Sequence, residues 1–160
     1  MKSTFLKISL MAFIAMGAFA CKNNEKNADM PVEEAAEATE AAVTYNVDTA
    51  ASQIKWEGAK PTGTHHGTIN LSSGTIAVNN GTVEAGNFVI DMNSITDEDL
   101  TGEEKANLEA HLKGTVEGKE GDFFNVKEYP TAKFELTGVE NEIVKGNLTI
   151  REKTHAIEFP

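Results

Sequence analysis

Residues 74–83 read Gly74-Thr75-Ile76-Ala77-Val78-Asn79-Asn80-Gly81-Thr82-Val83, and the run continues to Phe88-Val89-Ile90-Asp91-Met92. Ile76 and Val78 stand two apart, as do Phe88, Ile90 and Met92, with only Val89 interrupting the alternation. In an extended chain successive side chains point to opposite faces, so each run presents one apolar and one wet face. Between them Asn79-Asn80-Gly81 supplies residues that tolerate the positive φ of a tight turn. The stretch predicts an antiparallel hairpin with one face to bury.

The same texture extends in both directions. Upstream, Ile54 and Trp56 alternate with Gln53, Lys55 and Glu57, and Ile69 and Leu71 alternate with Thr68 and Asn70. Downstream, Phe134 and Leu136 form one set, Val144, Leu148 and Ile150 another, and Ile157 and Phe159 a third. Short connections favour antiparallel pairing. A meander with one apolar face closes on itself as a barrel or stacks as a sandwich, and the pattern leaves both open. One helix interrupts it: Thr101-Gly102-Glu103-Glu104 reads as a capping box, Leu108 and Leu112 lie one turn apart, and Gly114 ends the segment. The acids Asp97, Glu98, Asp99, Glu103 and Glu104 gather at the helix start, where the dipole favours negative charge, and are expected to cap and solvate it.

The N-terminus has another character. Lys2 and Lys7 precede a short apolar run that ends in Ala18-Phe19-Ala20, which reads as a secretory signal peptide over residues 1–20. Cys21, the only thiol, would be the first mature residue, and the arrangement resembles a bacterial lipoprotein signal with Cys21 as the lipid attachment point. Ala18 and Phe19 depart from the residues usual there. Residues 21–44 are rich in Glu, Ala and Asn, with little to bury, and are expected to be an acidic flexible tether. The implied location is exported, on the periplasmic or cell-surface side of a bacterial membrane, with a membrane contact through the lipid anchor.

The formal net charge is −11, and setting aside Lys2 and Lys7 makes it −13. Such a surface offers no basic stripe for nucleic acid. A single Cys excludes an intrachain disulfide and a Cys-based zinc cluster. His65 and His66 are adjacent, so in a strand they point to opposite faces, and no metal site is expected without His111, His155 or a carboxylate nearby. No nucleophile motif, P-loop or dinucleotide fingerprint appears, and neither a catalytic residue nor a cofactor is expected. Asn147-Leu148-Thr149 matches a glycosylation sequon that carries no expectation in an apparent bacterial strand.

Several motifs in order look familiar. Asp122-Phe123-Phe124-Asn125-Val126 followed by Tyr129-Pro130-Thr131-Ala132-Lys133-Phe134 resembles the central signature of the YceI-like family. Val47-Asp48, Ser52, Ile54, Trp56 and Gly58 resemble its opening strands, and Gly63-Thr64-His65-His66-Gly67 and His111-Leu112-Lys113 also fit. Gly146-Asn147-Leu148-Thr149-Ile150 and Phe159-Pro160 follow in the family's order, so the resemblance covers residues 45–160. It implies an all-β fold: an extended antiparallel lipocalin-like barrel with one short helix inserted between strands. Family domains continue past the Phe-Pro, so a barrel domain that is C-terminally incomplete at Pro160 is expected. The resemblance brings a long internal cavity, in some members holding a polyisoprenoid or another long amphiphile, and no established catalytic residue.

The candidate lumen set is Trp56, Ile76, Val78, Phe88, Ile90, Phe134, Leu136, Leu148, Ile150 and Ile157. Phe123, Phe124 and Phe134 are expected in the core or cavity wall. The expected function is a cell-envelope protein that holds a long-chain lipid. The alternatives are a surface-displayed interaction protein and an enzyme acting on a small molecule bound in the lumen. The sequence leaves the oligomeric state open, a dimer included.

Overall fold

A computed structural model describes residues 30–160. The signal peptide and Cys21 lie outside the described residues. Eight strands form one antiparallel system: β1 (Val43–Asn46), β2 (Gln53–Lys60), β3 (Gly63–Asn79), β4 (Thr82–Asp91), β5 (Thr96–Asp97), β6 (Thr131–Glu140), β7 (Ile143–Ile150) and β8 (Lys153–Phe159). The single α-helix among the described residues, α1 (Gly102–Lys113), follows β5. Its start at Thr101 agrees with the sequence, but the Thr101 side chain makes no capping bond, so the predicted box does not form. Gly114 ends it at φ 69°, and a Cβ there would lie 2.5 Å from the Asp122 carbonyl oxygen. Only glycine suits that position on both counts.

The path through the sheet is β1-β3-β4-β6-β7-β8. The 17-residue β3 is its spine. Its first half pairs with β2 through Ile54↔Ile69 and Trp56↔Gly67, and its second half pairs with β4 and with β1. The hairpin read from Asn79-Asn80-Gly81 is present, with Asn80 and Gly81 both at positive φ. Among the described residues β8 pairs only with β7, so the sheet curls without closing. The lipocalin-like, all-β architecture is therefore present as an open, curled sheet.

Three bulges decide which residues face inward. Ser72 on β3, Glu84 on β4 and Thr137 on β6 are each skipped in the pairing register. One extra residue shifts every later side chain to the other face. Inward parity on β6 thus runs Phe134, Leu136 and then Val139, which pairs with Val144. On β3 it changes from Ile69 and Leu71 to Ile76 across the Ser72 bulge.

The long connection between β4 and β6 seals one end of the curled sheet. Ile69, Ile90, Met92, Ile95, Val126 and Ala132 form the buried core, with Trp56, Leu112, Phe124 and Ile150 packed against it. Met92 comes from the short 3-10 turn before β5, Ile95 from the position just after that turn, and Val126 from the loop after α1. Gly67 lets β5 approach: a Cβ there would meet the Thr96 carbonyl oxygen at 1.9 Å. The same carbonyl accepts a bond from Trp56 Nε1 at 3.2 Å. Phe123 departs from its expected place. Its φ of 47° turns the side chain outward, where it is 54% exposed and stands edge-on to His111 at 4.8 Å.

The segment before β1 also departs from a free tether. Asn147 Nδ2 donates to the Glu33 carbonyl at 2.7 Å, Ala36 N–H donates to the Leu136 carbonyl at 2.8 Å, and Thr39 donates through both N–H and hydroxyl to Glu84 Oε2 at 2.8 Å. Asn147 points away from the face of β7 that carries Val144 and Leu148. Residues 33–39 therefore run as a strap along the outer face, from β7 across β6 to β4. The stretch forms no helix. A helix this short is marginal in water without a packed face, while the Leu136 carbonyl and the Glu84 carboxylate accept its backbone donors.

Candidate functional site

The inward faces of six strands enclose a pocket of about 590 Å³. Its floor is Ile54, Leu71, Ile90 and Leu148, residues that also belong to or pack against the buried core. Its walls are Ile76, Phe88, Phe134, Leu136, Val144 and Ile157, with Gly86 leaving space on β4. Its rim is Val83, Val139 and Phe159, which are 37%, 41% and 42% exposed. The three rim residues lie where β4 begins and where β6 and β8 end, at the hairpin end of the sheet. Phe134 stands at the centre, with ring centroids 6.1 Å from Phe88 and 5.6 Å from Phe159. Gly146 permits this: a Cβ there would lie 2.3 Å from Phe134 Cζ.

Among the described residues every side chain on the pocket surface is apolar, and none of these offers a charge, a titratable proton or a metal ligand. What such a lining offers a ligand is removal of apolar surface from water. The volume falls in the range of about 300–1,000 Å³ typical of small-molecule sites.

Seven residues of the candidate lumen set lie on this surface: Ile76, Phe88, Ile90, Phe134, Leu136, Leu148 and Ile157. Three do not. Trp56 and Ile150 pack against the buried core at the sealed end. Val78 is half-buried between Val43 of β1 and Val83 of β4 and does not reach the pocket. The residues missed are Ile54, Leu71, Val83, Gly86, Val139, Val144 and Phe159. Strict alternation extended from Phe88 or Phe134 puts Val83 and Val139 on the outside, and only the bulges at Glu84 and Thr137 return them. Val144 and Phe159 share a parity with Leu148 and Ile157, so strand alternation by itself marks them.

A second group, of polar residues, lies on the outer side of the sealed end, where β5 pairs with β3. His65 Nδ1 is 2.9 Å from Asp99 Oδ2, and Asp99 Oδ1 accepts the His66 backbone N–H at 2.8 Å. Those bonds, the His66 N–H first and the His65 ring second, hold the Asp99 carboxyl at about 2, well below the usual range. The acids before α1 thus do more than solvate it: Asp97 is fully buried, and its Oδ1 takes the Leu100 N–H at 2.7 Å. The other two histidines are elsewhere, His111 against Phe123 and His155 exposed on β8. Asn147 of the sequon is 5% exposed, which leaves its amide inaccessible to modification in the folded chain.

The sequence matches the family model of the YceI-like domain over residues 45–160. No curated protein matches it.

Proposed function

The chain belongs to the YceI-like family, and on that premise we propose that it binds a polyisoprenoid or similar long amphiphile in the cell envelope, without catalysis. The observation that carries this reading is the pocket: about 590 Å³, apolar on every side, and open at the hairpin end. A hydrocarbon chain needs no polar partner. Each methylene buried contributes about 0.8 kcal/mol, so ten contribute about 8 kcal/mol before the cost of association. A polar head would remain at the rim, beside Val83, Val139 and Phe159, where water reaches it.

The family is generally linked to polyisoprenoid binding, which selects a branched, unsaturated chain over other apolar ligands. Export and acylation at Cys21 fit the same reading, because a membrane-tethered carrier works next to its lipid pool. An acylated Cys21 would anchor the chain, and the strap along the outer face sets where the tether leaves the domain.

The test is native mass spectrometry of the chain expressed in a bacterial envelope, followed by lipid extraction. A single co-purifying isoprenoid-type lipid per chain is expected. Val144→Glu places a carboxylate on the upper wall, within reach of water, and should weaken lipid binding tenfold or more, because a chain in the pocket would desolvate the charge. Absence of any lipid, with no uptake of added isoprenoid, would refute the proposal.

A further inference from the structure

We propose that His65, Asp97 and Asp99 form a binding site for one divalent cation of the zinc or manganese class. Asp97 is fully buried, yet its Oδ2 has no hydrogen-bond partner. A carboxylate oxygen removed from water and left unpaired is costly, and either a cation or a proton opposite it relieves the cost. The nearest lysine does not serve. Lys105 Nζ is committed to the backbone oxygen of Asp97 and lies 3.4 Å from Glu109 Oε1.

The donor atoms that do gather there are one imidazole nitrogen and two carboxylate oxygens, all within 4.8 Å of one another. A zinc-type ion sits at about 2.0–2.2 Å from such donors, so it fits among them after a side-chain shift of roughly half an ångström. The 2.9 Å contact between His65 and Asp99 brings two of the donor atoms together, and a cation would take the place of the proton between them. Two carboxylates balance the ion's charge. One nitrogen among the donors favours a transition metal over calcium or magnesium, which take oxygen. Three protein ligands leave positions for water.

Each ligand comes from a different part of the sealed end: His65 from β3, Asp97 from β5 and Asp99 from the segment leading into α1. A bound cation would clamp the β2–β3 hairpin to that connection. The site is remote from the pocket rim, so it stands or falls independently of lipid binding.

The experiment titrates the intact, tag-free chain carrying Cys21→Ser, which removes the competing thiol, with Zn²⁺, Mn²⁺ and Ca²⁺ in turn. The readouts are calorimetric stoichiometry and the thermal midpoint. One Zn²⁺ or Mn²⁺ per chain is expected, raising the midpoint by roughly 5–15 °C at a hundredfold excess over Kd. His65→Ala and Asp99→Asn should each abolish the shift while leaving the metal-free midpoint within a few degrees, and His155→Ala should retain it. The proposal is overturned by no shift with any cation, as when Asp97 and Asp99 simply share a proton. It is equally overturned by a shift that survives in both His65→Ala and Asp99→Asn, or by a Ca²⁺ shift as large as that of Zn²⁺.

Discussion

The two ends of the curled sheet are built from the same alternating strands and finish differently. At one end the connection between β4 and β6 folds back over the inward face, and Met92, Ile95 and Val126 fill it. At the other, two tight turns leave Val83, Val139 and Phe159 uncovered among the described residues. Alternation in a strand says that a face must be apolar, not what covers it. Here the cover at one end is the chain's own insertion, and at the other it is left to something else. The proposed ligand takes the place that Ile95 and its neighbours take at the sealed end.

The largest expected effect tests that contrast directly. Ile95 is 1% exposed, in contact with the floor of the pocket through the core. Ile95→Ala should cost about 2–5 kcal/mol, as large-to-small changes in packed cores do. Val139→Ala, at the rim and 41% exposed, should change the stability of the lipid-free chain by less than about 1 kcal/mol. Urea denaturation of both variants measures the difference. Equal costs would mean that the rim is as well packed as the core and that the contrast is only apparent.

The sequence made the strands legible because their signal is local: a period of two, bounded by Asn-Gly or Gly. The family's ordered motifs supplied the architecture that periodicity left open. The pocket was legible only in part. Phe88 and Ile90 both follow the Glu84 bulge, Phe134 and Leu136 both precede the Thr137 bulge, and Leu148 is on a strand without one, so alternation holds within each group and they face inward as expected. Val83 and Val139 lie beyond bulges at Glu84 and Thr137, residues with no local mark of being skipped. Trp56 and Ile150 have the right parity but the wrong height, because the inserted connection fills the sheet up to their level. Asp97 looked like one of several helix-capping acids. Its burial depends on Gly67 admitting β5, a contact across about thirty positions that no spacing rule reveals.

A change midway between the two ends should have an intermediate effect. Gly146 lies beneath the Phe134 ring, and the Cβ of Gly146→Ala would also meet the Glu135 carbonyl oxygen at 2.6 Å. The ring must tilt into the pocket or the strands must part, at about 1–3 kcal/mol, the usual cost of overpacking. Loss of stability with weaker lipid uptake is the expected pair of results. Loss of stability with unchanged uptake would show that the strands part and the ring stays, so that the pocket is bounded by a rigid wall.

The smallest effect concerns how the open end is braced from outside. Pairing between β4 and β6 covers only Asn87–Asp91 with Thr131–Glu135, so the two strands part toward the rim, and the strap joins them through Ala36 to Leu136 and Thr39 to Glu84. Glu84 is held below its ordinary value of 4.5, chiefly by the Thr39 N–H, then by the Thr39 hydroxyl and the Asn79 amide. A carboxyl with a depressed value contributes its stabilisation in full above the ordinary value and loses it as pH falls through the depressed one. The Thr39 amide should therefore be protected from hydrogen exchange near neutrality. Below the ordinary glutamate range it should lose that protection, after correction for the intrinsic rate. Glu84→Ala should remove both the protection and its pH dependence. If the Ala36 amide stays protected in that variant, the bond to Leu136 holds the strap without Glu84. The gap between β4 and β6 is then braced from the β6 side alone.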